Sequence, residues 1–174
     1  MAALTSLRVI EAPGPSLARG DVVAFLEHLA GPTALLLRGR HAGPPRAFVT
    51  LLHGNEPSGA MALRRWILER REPAVDTVCV LAAIPAALVA PPFSQRMLPR
   101  ARDLNRCFKA PFDDEQGRLA QAILELLSRY DPACIVDMHN TSGTGPSFGV
   151  CSAFDAERAA LVSLFTTHLI VARL

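Results

Sequence analysis

A histidine and a glutamate lie three residues apart in the segment HGNEPSG, directly after an apolar run that is typical of a buried strand. These residues are His53 and Glu56. Zn²⁺ accepts both imidazole nitrogen and carboxylate oxygen, and catalytic zinc sites use three protein ligands and leave a fourth position for water. Ligands of open α/β sheets bind at the carboxyl ends of strands, where His53 is expected to lie. A set of two histidines and one glutamate needs a second imidazole.

The best candidate for that imidazole is His139, which ends the strand-like run CIVDMH and is followed by small polar residues. Two histidines at the ends of two buried strands of one parallel sheet can converge on one ion. The other histidines fit less well, because His28 falls in an amphipathic helical pattern, His41 in a Gly/Pro loop and His168 in the terminal apolar run.

Structural roles are an alternative for the same residues. A histidine at a strand end often serves only as a hydrogen-bonding residue, and Glu56 could simply be a negative charge at a helix N-terminus. Spacing alone leaves both interpretations open.

The segment RMLPRARDLNRCF, residues 96–108, supplies a cluster of arginines beside an aspartate and an asparagine. The guanidinium group binds carboxylates in a bidentate manner and can polarise a carbonyl oxygen. A solvated arginine-rich loop is the alternative. Placement in a long, Pro- and Arg-rich connection favours an anion-binding role, since such connections are usually functional. The arginines are Arg96, Arg100, Arg102 and Arg106.

These residues must be positioned by strands and helices that alternate along the chain. Several strand-like runs are apolar throughout, which favours an α/β fold with a mixed, largely parallel sheet and helices on both faces. Strands are predicted at 34–38, 47–52, 76–84, 133–139 and 147–151, and helices at 19–29, 57–71, 113–129 and 154–165.

The bulk composition of the 174 residues predicts a single globular α/β domain over 1–174. A net charge of +2 without any basic run argues against nucleic-acid binding. No apolar stretch is long enough for a membrane span, and no signal peptide is evident, so a cytoplasmic location is expected. The apolar run TTHLIVARL is predicted to be another buried strand; because no turn or polar tail follows it, we expect the domain to be truncated at its C-terminus.

The motifs HGNEPSG, DLNR and DMHNT occur in this order, and with them the chain resembles the succinylglutamate desuccinylase/aspartoacylase family. The resemblance spans roughly residues 45 to 150. It implies the zinc carboxypeptidase-like (phosphorylase/hydrolase-like) core and zinc-dependent hydrolysis of the amide bond of an N-acyl amino acid. The expected partner is therefore a small-molecule substrate, and the oligomeric state, including a homo-oligomer, is left open.

Carried over by motif, the resemblance implies that His53, Glu56 and His139 bind Zn²⁺. Asn105 and Arg106 of DLNR would hold a substrate carboxylate, and Asn140 of DMHNT is also assigned to substrate binding.

Two features depart from the family pattern. The arginine that polarises the scissile carbonyl is expected five residues before the motif aspartate, where this chain has Leu98; Arg96 and Arg100 flank it, and both remain candidates. The general-base glutamate is expected beyond residue 174. Two rival functions are a zinc carboxypeptidase that acts on peptide C-termini and a zinc-binding module without turnover. A metal-free α/β scaffold protein is a third alternative.

Overall fold

The structure is a computed structural model that describes residues 7–141 and 143–172. The described chain divides after Asn140 into two units. The first unit contains five strands: β1 (Arg8–Glu11), β2 (Thr33–Leu37), β3 (Arg46–Thr50), β4 (Thr77–Leu81) and β5 (Cys134–Met138). Its helices are α1 (Val22–Leu29), α2 (Ser58–Leu68), the short α3 (Ile84–Ala87) and α4 (Glu115–Tyr130), with a 3₁₀ turn at Leu104–Arg106.

The five strands form one sheet in the order β1-β2-β4-β3-β5. Only the β2–β4 pair is antiparallel, so the sheet is mixed and largely parallel, as predicted. Thr50 at the end of β3 is in register with Leu81 of β4 and Met138 of β5. The carboxyl ends of these three strands therefore lie level at one edge of the sheet.

Helices cover both faces of this sheet, and the residues of the central strand β4 are all buried. Val78 and Val80 of β4 pack toward α4, whereas Cys79 and Leu81 pack toward α1 and α2, as expected from the alternation of side chains along a strand. The N-terminal ends of α1 and α4 are capped by Asp21 and Asp114. Cores on both faces hold the strand ends in fixed positions.

Two strands of this unit differ from expectation. β1 is not predicted from the sequence, because this four-residue strand includes Arg8 and Glu11 and has largely exposed side chains. β5 was expected to be buried, but within the described residues it pairs only with β3, and Ile135 is 51% exposed. An apolar run alone cannot show whether a strand is central or at an edge.

The second unit comprises β6 (Gly149–Cys151), α5 (Ala156–Ser163) and β7 (Leu169–Val171). β6 and β7 pair in parallel. The terminal apolar run does form a strand, but Ile170 and Val171 are exposed rather than buried, and the last two residues of the run lie outside the described part of the chain. Among all described residues, no helix is both long and apolar enough to cross a membrane.

Candidate metal centre

The chain leaves β3 through a backbone turn at Leu51 that directs His53 toward the edge of the sheet. Leu51 is fully buried and has a left-handed φ of 56°. A non-glycine residue in this region costs on the order of 1–3 kcal/mol and is retained only where its surroundings hold it. Here the carbonyl of Leu51 accepts a hydrogen bond of 2.6 Å from the backbone of Ala83, which follows β4. The turn before the candidate ligand is thus tied to the neighbouring strand.

Gly54 follows His53 and allows the long 85–111 connection to approach closely. A Cβ at this position would lie 2.6 Å from backbone atoms of Ala86, Ala87 and Gln95. The backbone N–H of Gly54 donates to the carbonyl of Arg96 at 2.8 Å. Glycine is required here by close backbone packing, which also brings Arg96 next to the HGNE turn.

His53, Glu56 and His139 converge as the sequence predicted, with one ligand atom from each residue within 4.8 Å of the others. Glu56 lies between the two rings: His53 Nδ1 is 2.9 Å from its Oε1, and His139 Nδ1 is 2.7 Å from its Oε2. His53 and Glu56 are 2% and 6% exposed, whereas about a third of the His139 side chain, 32%, is open to solvent.

Two further carboxylates hold the opposite nitrogens of the two rings. His53 Nε2 is 3.0 Å from Asp103 Oδ1, and His139 Nε2 is 2.8 Å from Asp137 Oδ2. A carboxylate on one ring nitrogen orients the imidazole and leaves the other nitrogen for a metal ion. Sequence reasoning did not assign these roles. The Asp-x-His spacing was a usable signal for Asp137, because residues i and i+2 of a strand share a face.

The electrostatics of the cluster follow from these contacts. The hydrogen bond to Asp137 raises the pKa of His139 to about 9, with Glu56 adding to the effect and partial burial opposing it. Burial disfavours ionisation of Asp103, but hydrogen bonds from Arg96, His53 and the backbone of Asn105 outweigh it, so its pKa is lowered. In the metal-free protein the cluster therefore combines a protonated His139 with an ionised Asp103.

The two candidate carbonyl-polarising arginines differ in their relation to the cluster. Arg96 donates from Nη2 to Asp103 Oδ2 at 3.0 Å, and its Nη1 is 3.6 Å from Glu56 Oε1. Within the described residues Arg100 makes no side-chain hydrogen bond or ion pair, and its backbone φ is 67°. The geometry favours Arg96, although a catalytic role for either residue stays a prediction.

Arg102 forms an ion pair with Asp114 and does not contact the cluster in the described structure. Its guanidinium binds both carboxylate oxygens of Asp114, with a distance of 2.8 Å from Nη2 to Oδ1, and Asp114 also caps α4 through the N–H of Gly117. This pair fixes the DLNR segment to the first turn of α4. Arg102 is therefore part of the loop's anchoring.

The predicted substrate-binding residues occupy different surroundings. Arg106 is exposed, and its one side-chain hydrogen bond in the described chain goes to the carbonyl of Asn105 at 3.1 Å. The side chain of Asn140 instead contacts Ser58 at the start of α2, and its backbone N–H donates to Glu56 Oε2 at 3.1 Å. Substrate binding by these residues stays a prediction.

Three other glutamates of the described chain lie on helices α4 and α5. Glu115 and Glu125 are on α4 and Glu157 is on α5. In the part of the chain that the structure describes, neither Glu115 nor Glu125 forms a hydrogen bond or ion pair with the cluster. The expectation that the general base lies beyond residue 174 stays a prediction.

The donor set fits a zinc ion. Zinc bonds of ~2.0–2.2 Å in a tetrahedral arrangement place neighbouring ligand atoms about 3.3 Å apart. The two Nδ1–carboxylate distances of 2.9 and 2.7 Å would thus have to widen by roughly half an ångström. Two imidazoles and one carboxylate with a side partly open to solvent are typical of a catalytic rather than a closed structural site.

Comparison with known proteins agrees with this geometry. The family model for the succinylglutamate desuccinylase/aspartoacylase catalytic domain matches residues 45–172. The chain belongs to this family. The match includes all three motifs on which the resemblance rested, so the family prediction is confirmed.

A solved relative shows the same fold. The crystal structure of an aspartoacylase family protein from Mesorhizobium loti superposes with a TM-score of 0.55 at 23% identity. The match covers 74% of this chain and 41% of that one, so the matched part spans less than half the length of the solved relative. The α/β fold expected of the zinc carboxypeptidase-like core is confirmed by this comparison. No curated protein in the comparison matches the chain.

Proposed function

We propose that this protein is a zinc-dependent deacylase domain that hydrolyses the amide bond of an N-acyl amino acid. The proposal rests on the convergence of His53, Glu56 and His139 at the carboxyl ends of β3 and β5. It also rests on the membership of the chain in this family. When bound there, zinc would activate a water molecule and polarise the amide carbonyl.

The chain's own residues would divide the remaining work. Asp103 and Asp137 hold the two imidazoles in the orientation that a metal ion requires. Arg96 lies beside Glu56 and would stabilise negative charge that develops on the carbonyl oxygen, an interaction whose loss typically costs ~10²–10³ in rate. Arg106, exposed beside Asn105, would bind a substrate carboxylate through its planar fork.

The proposal extends to location and partner. We also propose a cytoplasmic location and a small, soluble substrate, without nucleic-acid or membrane partners. The near-neutral charge of the chain, +2, supports the absence of a nucleic-acid partner. Four cysteines are free thiols in the structure, as a reducing compartment would require.

The test uses the complete gene product, purified without chelators. We expect about one zinc per chain by elemental analysis. A panel of N-acyl amino acids, including N-succinylglutamate and N-acetylaspartate, is assayed beside short peptides, with the His139→Ala variant as the inactive control. Turnover of peptides alone would identify a carboxypeptidase, and bound zinc with no turnover of either class would identify a binding module. Protein without stoichiometric metal would contradict the zinc assignment.

A further inference from the structure

Asn140 joins the two chain segments that supply the candidate ligands. Its side-chain Oδ1 accepts a hydrogen bond from the Ser58 backbone N–H at 3.2 Å, and its Nδ2 donates to Ser58 Oγ at 2.5 Å. Its own backbone N–H donates to Glu56 Oε2 at 3.1 Å. Asn140, two positions after the end of β5, thus contacts both the start of α2 and the glutamate between the two histidines.

This contact replaces a cap that α2 lacks. The N-cap position of α2 is Pro57, which makes no side-chain hydrogen bond to the helix. A free N–H in the first helical turn needs an acceptor, and Asn is among the best residues for that purpose. Here the acceptor comes from Asn140, 82 residues along the chain.

The position of β5 explains why such a tie matters. His53 and Glu56 belong to the β3–α2 segment, whereas His139 follows β5, an edge strand that among the described residues pairs only with β3. The contacts of Glu56 Oε2 with His139 and Asn140 cross between these segments. The hydrogen bonds between Ser58 and Asn140 also join the β3–α2 segment to the residues that follow β5.

We infer that Ser58 and Asn140 form a clasp, a pair of positioning residues that keeps Glu56 directed at His139. The inference rests on the proposed metal site. It assigns the Asn140 side chain to the assembly of the ligand set, since both its carbonyl and its amide are already bonded to Ser58.

The clasp is tested by measuring zinc affinity through competition with a chromophoric chelator. The variants compared are Ser58→Ala, Asn140→Ala and the double variant. Loss of outer contacts around metal ligands typically weakens binding ~10–100-fold, and we expect Asn140→Ala, which removes both hydrogen bonds to Ser58, to fall in this range. Ser58→Ala removes only the hydrogen bond to Oγ and should weaken binding less, so the double variant should bind about as weakly as Asn140→Ala. Ser58→Thr, which keeps the hydroxyl, should bind within about twofold of the native chain.

The visible spectrum of the Co²⁺-loaded protein gives a second measurement, because it reports coordination geometry rather than stability. It should change in the alanine variants and return to the native form in Ser58→Thr. The matched control is Ser163→Ala, which removes an exposed hydroxyl that donates to the carbonyl of Ala160 on α5. Neither zinc affinity nor the spectrum should change in this control.

Unchanged zinc affinity in both Ser58→Ala and Asn140→Ala would overturn the clasp, most clearly if Asn140→Ala alone weakened binding of an N-acyl amino acid. If Asn140→Ala does not fold, Ser58→Ala decides the matter, since it leaves the backbone contact of residue 140 with Glu56 in place. A native chain that fails to bind zinc at all would overturn the proposed function and the clasp together. If the native chain binds zinc and the variants bind it with the same affinity, only the clasp is overturned.

Discussion

The rings of His53 and His139 lie 5.1 Å apart between centroids and are tilted by 46°, and both direct Nδ1 at the carboxylate of Glu56. Each ring also has its Nε2 against an aspartate, Asp103 for one and Asp137 for the other. The two halves of the site are therefore built alike, although they come from different strands. This arrangement directs Nδ1 of both rings to the same carboxylate.

Removing either imidazole should abolish tight zinc binding. His53→Ala or His139→Ala leaves only two of three ligands. Arg106→Ala should retain zinc and weaken substrate binding, because Arg106 is an exposed residue at the end of the DLNR turn. Chelator competition measures the first effect and the substrate dependence of hydrolysis the second. His28→Ala, on α1, is the control. Zinc retained by both site variants would refute the ligand assignment.

Replacing the outer aspartates should weaken the site without removing a ligand. Asp103→Asn and Asp137→Asn keep an oxygen that can accept from Nε2 but remove the negative charge that makes the imidazole a better ligand. We expect a loss of zinc affinity of ~10–100-fold in each case. Asp131→Asn removes an equal charge before the opposite end of β5 and should have no effect. Equal affinities in all three variants would show that these aspartates do not support the ligands.

Zinc binding should release protons at neutral pH. In the metal-free protein the pKa of His139 is raised to about 9, mainly by Asp137, so the ring carries a proton that a metal ion must displace. Apparent zinc affinity should therefore increase with pH up to about 9. Calorimetry at pH 7 in buffers of different ionisation enthalpy measures the release, which Asp137→Asn should reduce. Identical heats in those buffers would contradict the prediction.

The same shift has a consequence for folding of the metal-free protein. Since the pKa of folded His139 lies above its ordinary value of 6.5, its contribution to stability is fully present below pH 6.5 and is lost as the pH rises toward about 9. Urea unfolding at several pH values should show this decrease.

Gly54→Ala should destabilise the protein and displace Arg96. The added Cβ would lie 2.6 Å from backbone atoms of Ala86, Ala87 and Gln95, which cannot move as a side chain can. Overpacking of this kind typically costs ~1–3 kcal/mol. The control is Gly14→Ala, where the nearest atom to a Cβ is Ser16 Oγ at 3.8 Å. Chemical unfolding compares the free energies of unfolding of the two variants. Equal values would show that the backbone of the 85–111 connection can shift to accommodate the added Cβ.

The sequence by itself determined the class of fold and the three candidate ligands. Apolar runs and helical periodicity are local properties, so they located the strands that end before His53 and His139 and the helices between them. The motif order identified the family. Local patterns failed at β1, which is short and partly charged, and could not show that β5 is an edge strand.

Only the tertiary structure decided which groups surround those ligands. The contact of His53 with Asp103 joins residues 50 positions apart, and that of Asn140 with Ser58 joins residues 82 apart. Likewise, Arg96 rather than Arg100 lies beside Glu56 because Gly54 lets the connection approach the turn. Such contacts depend on strand order, register and close backbone packing, and none of these is encoded in the spacing of residues along the chain.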